Sequence, residues 1–154
     1  ITIIAVGQKL PAWAQTAVDD YLARFPRDFT VIVKEVKAEA RTGGKPVAQV
    51  MAAEAERIER AVPAGDILVA MDEHGRDMTT LDFSKKISGW KNEGCGVTFI
   101  IGGADGLDPA LKAKSRMMLR LSSMTLPHAF ARVLLTEQIY RAWSILANHP
   151  YHRV

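Results

Sequence analysis

The sequence reads as an α/β three-layer sandwich built on a mostly parallel sheet. Strand-like and helix-like segments alternate along the whole chain. The stretches at 67–71 (ILVAM) and 97–101 (VTFII) are apolar without alternation, as strands covered on both faces are. No repeat, low-complexity tract or linker divides the 154 residues, so a single domain over 1–154 is expected.

Each element follows from local chemistry. Residues 1–6 (ITIIAV) are β-branched and end at Gly7, a strand; the start lacks the basic region and small-residue site of a signal peptide. Pro11 opens a helix to about Phe25, with Trp13, Ala17, Tyr21 and Leu22 at helical spacing and Pro26 beyond. FTVIVKEV (29–36) alternates into a second strand, and EARTGGK (39–45) is a polar loop. Residues 46–62 form a solvated amphipathic helix, stopped by PAG at 63–65. The strand DILVAMD follows, and DEHGRD leaves His74 in a solvated loop. Thr79 or Thr80 caps a helix to about Trp90, and Thr79 with Asp82 imitates a capping box. GVTFII is the fourth strand, Pro109 opens a short helix, and MMLRLS is the fifth strand. Pro127 begins a last helix to about Ala147.

Composition excludes little. With 48% hydrophobic and 24% charged residues the chain is of ordinary globular type. No apolar run has the length of a membrane span. The single cysteine, Cys95, rules out a disulfide within the chain and fits a reducing cytoplasm. A net charge of +3 and a pI of 9.1 permit an anionic partner such as RNA without demanding one. Lys9, Arg24, Arg27, Lys34 and Lys37 are candidate phosphate contacts.

IIGGADG (100–106) is strand, glycine turn, then short helix. Glycines at a strand's carboxyl end let main chain approach a ligand. Gly102, Gly103 and Gly106 would equally serve a tight turn with no ligand, and the motif alone does not choose. The spacing departs from G-x-G-x-x-G and follows the fourth strand, which disfavours a nicotinamide-dependent oxidoreductase. The loop SSMTLPH (122–128) adds hydroxyls, Met124 and Leu126, suited to a flat heteroaromatic ring; Thr125 is alternatively a simple helix cap.

The last helix carries Phe130, Val133, Leu134, Leu135, Ile139, Tyr140, Trp143, Ile145 and Leu146 nearly all round, which points to a second subunit. Glu137 and Arg141 are spaced to pair. His128, His149 and His152 lack a carboxylate or cysteine at ligand spacing, and no metal is expected.

The ordered set AVGQKLPAW, YLARFP, IIGGADG, LSSMTLPH, RVLLTEQIYRAWSI and PYHR resembles the ribosomal RNA large subunit methyltransferase H (RlmH) family of the SPOUT superfamily over essentially the whole chain. The resemblance implies a C-terminal trefoil knot that binds S-adenosylmethionine, and a cytoplasmic homodimer. It implies methylation of N3 of a pseudouridine in 23S rRNA of the assembled ribosome. Carried over by position, Met71, Gly102, Leu121, Ser122, Ser123, Met124, Thr125 and Leu126 would bind the cofactor. Tyr151, His152 and Arg153 match the family's ending and would be catalytic. In that reading the tail docks beside the partner's knot: Arg153 holds a phosphate or the developing anion, His152 accepts the proton, and Tyr151 stacks on the base. A non-catalytic ribosome- or RNA-binding module is the alternative reading.

Overall fold

The computed structural model describes residues 1–7 and 9–153. Strands β1 (Thr2–Val6), β2 (Ile32–Val36), β3 (Ile67–Arg76), β4 (Val97–Ile101) and β5 (Met117–Leu119) form one sheet, in the order β2-β1-β4-β3-β5. Every pairing is parallel. Helices α1 (Ala12–Leu22), α2 (Val47–Ala61), α3 (Thr80–Asn92), α4 (Pro109–Lys114) and α5 (His128–Leu146) complete the chain.

β1 and β4 are buried at every position, which is why their sequences are continuously apolar. On one face Ile3, Val69, Phe99 and Ile101 pack against Phe83, Ile87 and Trp90 of α3 and Leu135 and Ile139 of α5. α1 lies beside α5, with Ala14 and Val18 against Ala129 and Val133. On the other face Ile4, Val6, Ala70 and Ile100 meet Ala55 and Ile58 of α2, and Leu107 and Leu111 around α4. The expected sandwich is therefore present, and its sheet is entirely parallel.

Helix starts follow their caps. Thr79 Oγ1 accepts from the Asp82 N–H at 3.1 Å. Asp108 caps α4, where Pro109 takes a position whose missing N–H costs nothing. α5 has Pro127 at its N-cap with no side-chain cap, so Thr125 is not the cap of this helix.

Several boundaries differ from the pattern-based expectation. α1 stops at Leu22, and β2 begins at Ile32. Phe29 and Val31 are nonetheless buried; their apolarity reports core packing outside the ladder, with Phe25 and Phe29 stacked at 5.8 Å. β3 runs on to Arg76, so His74 lies on a strand and not in a loop, although its side chain is 81% exposed. The extension returns to the same neighbour: Met71 and Arg76 both pair with Leu119. Gly75 crosses β5 so closely that a Cβ there would lie 2.6 Å from the Leu119 carbonyl carbon.

Candidate functional site: three strand ends and the tail

Met71 is in register with Ile101 on one side and Leu119 on the other. The polar second half of β3 beyond Met71 and the segments that follow β4 and β5 thus start side by side at one level. Two adjoining hollows open there. One is lined by Met71, Asp72, Ile101, Leu121, Ser122, Met124, Thr125 and Leu126. The other, of about 590 Å³, reaches along Gly102–Leu107 and shares Met71, Ile101 and Leu126. That volume suits a small organic ligand. Of the residues expected to bind the cofactor, only Ser123 lines neither hollow.

The glycine turn closes on itself. The Gly106 N–H donates to the Gly103 carbonyl at 3.0 Å. A Cβ on Gly102 would stand 2.5 Å from the carbonyl carbon of Gly106, so the turn needs glycine there for steric reasons. Gly102 also forms part of the hollow's wall, so both readings of the motif hold at this position. Asp105 is pinned from outside by an ion pair with Arg41, next to the short 3-10 turn at Thr42–Gly44.

In the loop 121–126 the Ser122 hydroxyl accepts from the Met124 N–H at 2.9 Å, tightening the bend. Met124 is 76% exposed, an apolar side chain left at the mouth of the hollow. Asp72 is a wall residue that motif reading missed; its position at the carboxyl end of DILVAMD was the available signal. Burial pushes its carboxyl up, but the His74 N–H at 2.8 Å and the Lys112 ammonium at 3.1 Å outweigh that and hold it below its ordinary value.

One turn into α5, Arg132 is buried at 2% exposure. Its Nε donates to His128 Nε2 at 2.8 Å, and its Nη1 to Glu35 Oε2 on β2 at 3.0 Å. Nη2, near Gly7, has no partner among the described residues. Burial first, and then the Arg132 charge, hold the His128 imidazole below its ordinary value.

The tail lies at the other end of α5. The Tyr151 hydroxyl donates to Glu137 Oε1 at 2.9 Å and lies 3.1 Å from the Tyr21 hydroxyl. Its proton being used on Glu137, it accepts from Tyr21. Burial, then these two bonds, raise the phenol well above its ordinary value. The ring packs on Tyr140 at 4.7 Å and under the Arg141 guanidinium at 4.8 Å. Glu137 pairs with Arg141 as its spacing predicted. His152 Nδ1 is buried without a partner among the described residues, and Arg153 is exposed. His149 packs on Tyr140 and Trp143, far along α5 from His128, so the histidines do not gather. Lys34 donates to the Ala61 carbonyl at 2.9 Å and holds α2 to β2; it is not a free phosphate contact. Arg24 is likewise engaged, with Asp20 and over the Tyr21 ring.

A parallel sheet with two adjoining hollows where three strands lie side by side, a small one with apolar walls and a ligand-sized one with charged residues in its lining, is the architecture of an α/β protein that receives a nucleotide-like ligand. Residues 1–152 match the family described as predicted SPOUT methyltransferase. The chain is 52% identical over 154 residues to the ribosomal RNA large subunit methyltransferase H of Ralstonia pickettii, covering 100% of this chain and 99% of that one. It is 54% identical over 153 residues to the protein of the same name from Bordetella avium, covering 99% and 98%. In fold it resembles a probable methylase family protein from Haemophilus influenzae, with a TM-score of 0.57 at 12% identity over 99% of this chain and 70% of that one. The chain belongs to the SPOUT methyltransferase family, in the branch of the ribosomal RNA large subunit methyltransferases H. No helix among the described residues is long and apolar enough to cross a membrane.

Proposed function

We propose that this chain is an S-adenosylmethionine-dependent methyltransferase acting on large-subunit ribosomal RNA, at N3 of a pseudouridine in 23S rRNA of the assembled ribosome. The observation that carries the reading is the meeting of the 71–72, 101–107 and 121–126 segments around one pair of hollows. The donor set fits the cofactor. Met71, Ile101, Leu121 and Leu126 offer apolar walls to an adenine ring, and Asp72, held ionised, offers a negative charge to a sulfonium or amino group.

S-adenosylmethionine brings an already activated methyl group. The protein's task is to align it with the acceptor nitrogen and exclude water, a contribution of several kcal/mol, on the order of 7–11 at best. The imide N3–H of pseudouridine is a weak acid and must lose its proton. The His152 imidazole accepts it, and Arg153 stabilises the anion as it forms. Tyr151 has a different task from base stacking. Both faces of its chemistry are taken by its own subunit, through Glu137, Tyr21, Tyr140 and Arg141. It anchors the tail, with His152 half-buried beside it and Arg153 exposed.

The tail serves the partner's hollow. Along α5, Ala131 at the hollow and Tyr140 under the tail are nine residues apart, roughly 14 Å of helix, so one chain does not close its own site. Trp13 and Phe130, with ring centroids 4.8 Å apart, are 50% and 48% exposed, and Leu134, one turn along α5 from Phe130, is 36% exposed. A two-fold axis perpendicular to α5 across this apolar face would set the two α5 helices antiparallel and bring each tail toward the other subunit's hollow.

Truncation after Pro150 tests the assignment. The shortened dimer should bind S-adenosylmethionine with near-normal affinity by calorimetry and lose methyl transfer to ribosomes by more than about a hundredfold. Normal turnover without the tail would refute its role, and methylation of naked 23S rRNA in preference to ribosomes would refute the substrate.

A further inference from the structure

α2 carries a buried carboxylate that the function so far does not use. Glu54 is 6% exposed, and its Oε2 accepts from the Glu39 N–H at 3.0 Å. Lys45 and Arg57 pair with the Glu39 side chain, and Glu54 has no ion pair among the described residues. Burying a carboxylate without a cation is costly, so its place in the fold needs a reason. That reason lies at Oε1, which faces the glycine turn. A Cβ on Gly103 would stand 3.0 Å from Glu54 Oε1, 3.3 Å from Oε2 and 3.2 Å from Val6 Cγ1. Gly103 thus leaves room for a carboxylate and for a strand side chain at once. Gly103, Asp105 and Met51, the last one turn before Glu54 on α2, line the larger hollow, and Glu54 stands behind them.

We propose that Glu54 is a positioning residue for the methyl donor: its carboxylate sits between the 39–45 segment and Gly103 and fixes the glycine turn against the hollow. The segment is fastened beside the turn at two points. Glu54 takes its main chain at Glu39, and Arg41 pairs with Asp105. Beyond these points the segment packs on little. Gly43 and Gly44 hold left-handed φ values of 72° and 68°, with open space where a Cβ would be. The polar contacts therefore carry the attachment. A main-chain N–H bonded to a carboxylate is charge-assisted and stronger than a neutral pair. Val6 closes the opposite side of Gly103, so the turn is held between a strand and a helix. Glu54 does not act on the methyl group or on the acceptor's proton.

The inference rests on the hollow being the S-adenosylmethionine site, and the test separates the two. Wild type, E54L, E54Q and V50A are compared. Leucine keeps the bulk and removes the acceptor of the Glu39 N–H. Glutamine restores an acceptor oxygen at the same reach. V50A truncates another buried side chain of α2 and controls for lost stability alone. In the cofactor-free protein, amide exchange at Glu39 and at residues 103–107 should be about tenfold faster in E54L and close to wild type in E54Q. Calorimetry with S-adenosylmethionine should show binding weakened about tenfold in E54L, and within about threefold of wild type in E54Q and V50A. Methyl transfer at saturating cofactor should stay within about twofold of wild type in all of them, because the residue acts on the donor's seat. G103A probes the same contact from the turn and carries the test if E54L does not fold. Its added methyl group displaces the Glu54 carboxylate, the movable partner, and should quicken exchange at Glu39 on the far segment.

Unchanged exchange and unchanged affinity in E54L would overturn the proposal. So would V50A weakening the cofactor as much as E54L does, since the loss would then be one of stability. E54Q behaving as E54L, or a Glu39 amide that exchanges at the wild-type rate in G103A, would overturn it too. Loss of transfer at saturating cofactor in E54L would do the same, because a support for the donor's seat does not predict it. A wild-type protein that does not bind S-adenosylmethionine would overturn the reading of the hollow. In that event the exchange measurements on E54L and G103A still decide whether Glu54 holds the turn.

Discussion

At its first turn α5 meets main chain; at its last turns it meets side chains. Around His128 the neighbours are the glycine turn, the bend at 121–126 and one buried guanidinium. Around Tyr140 they are Tyr21, Phe25, Trp143, His149 and Tyr151, stacked edge and face. The first arrangement makes a hollow, because glycines and bends leave backbone uncovered and apolar walls apart. The second makes an anchor, because aromatic rings fill space and the Tyr21 and Tyr151 hydroxyls find partners. One helix spans both, so tail and hollow are held at a fixed separation within each subunit.

The sharpest way to break this contrast is at Gly102. Replacement by alanine places a methyl group 2.5 Å from the Gly106 carbonyl carbon. It should cost about 1–3 kcal/mol of stability and weaken cofactor binding by about tenfold or more, while the aromatic cluster keeps its near-ultraviolet circular dichroism. A variant that binds the cofactor normally would show that the turn is not part of the wall.

A smaller effect belongs to the other end. Glu137→Leu removes the acceptor of the Tyr151 hydroxyl and the partner of Arg141. The expected loss is about 1–3 kcal/mol, with methyl transfer reduced roughly tenfold and cofactor affinity within about twofold of wild type. Loss of affinity in step with loss of transfer would mean that the two ends are not separate.

The smallest effect is in pH. The His128 imidazole in the folded chain takes up its proton below its ordinary value of 6.5, through burial and the Arg132 charge. The unfolded chain therefore binds the proton first as pH falls. The stabilising contribution is complete above 6.5 and is lost progressively below it. Chemical denaturation between pH 5 and 7.5 should show this acid-side slope in wild type and less of it in H128Q. Equal slopes would remove the buried, neutral imidazole from the account.

Much of this was legible in the sequence. The alternation of elements, the apolarity of β1, of residues 67–71 and of β4, the cap at Thr79, the helix start at Pro109 and the stop at Gly7 all express local chemistry, which short windows of sequence record. Boundaries were less legible where burial and strand pairing part company. Phe29 and Val31 are in the core but off the ladder, and residues 72–76 pair as a strand despite a polar sequence. The candidate wall residues came from the ordered motifs as a set. Asp72, Arg132 and Glu35 did not, because a single charged residue in a sequence carries no mark of what it will face.

Sequence by itself thus determined which segments are strands and helices, where the chain turns, and that the tail carries unusual chemistry. Only the tertiary structure decided the order β2-β1-β4-β3-β5, which puts three loops at one level. It alone brought Arg132 to Glu35, 97 residues away, and Tyr151 to Tyr21, 130 residues away. The physical reason is that periodicity measures how each segment meets water and core, which is a property of the segment. Which segments become neighbours depends on packing the whole chain at once, and the partners of a buried charge or hydroxyl exist only after that packing is complete.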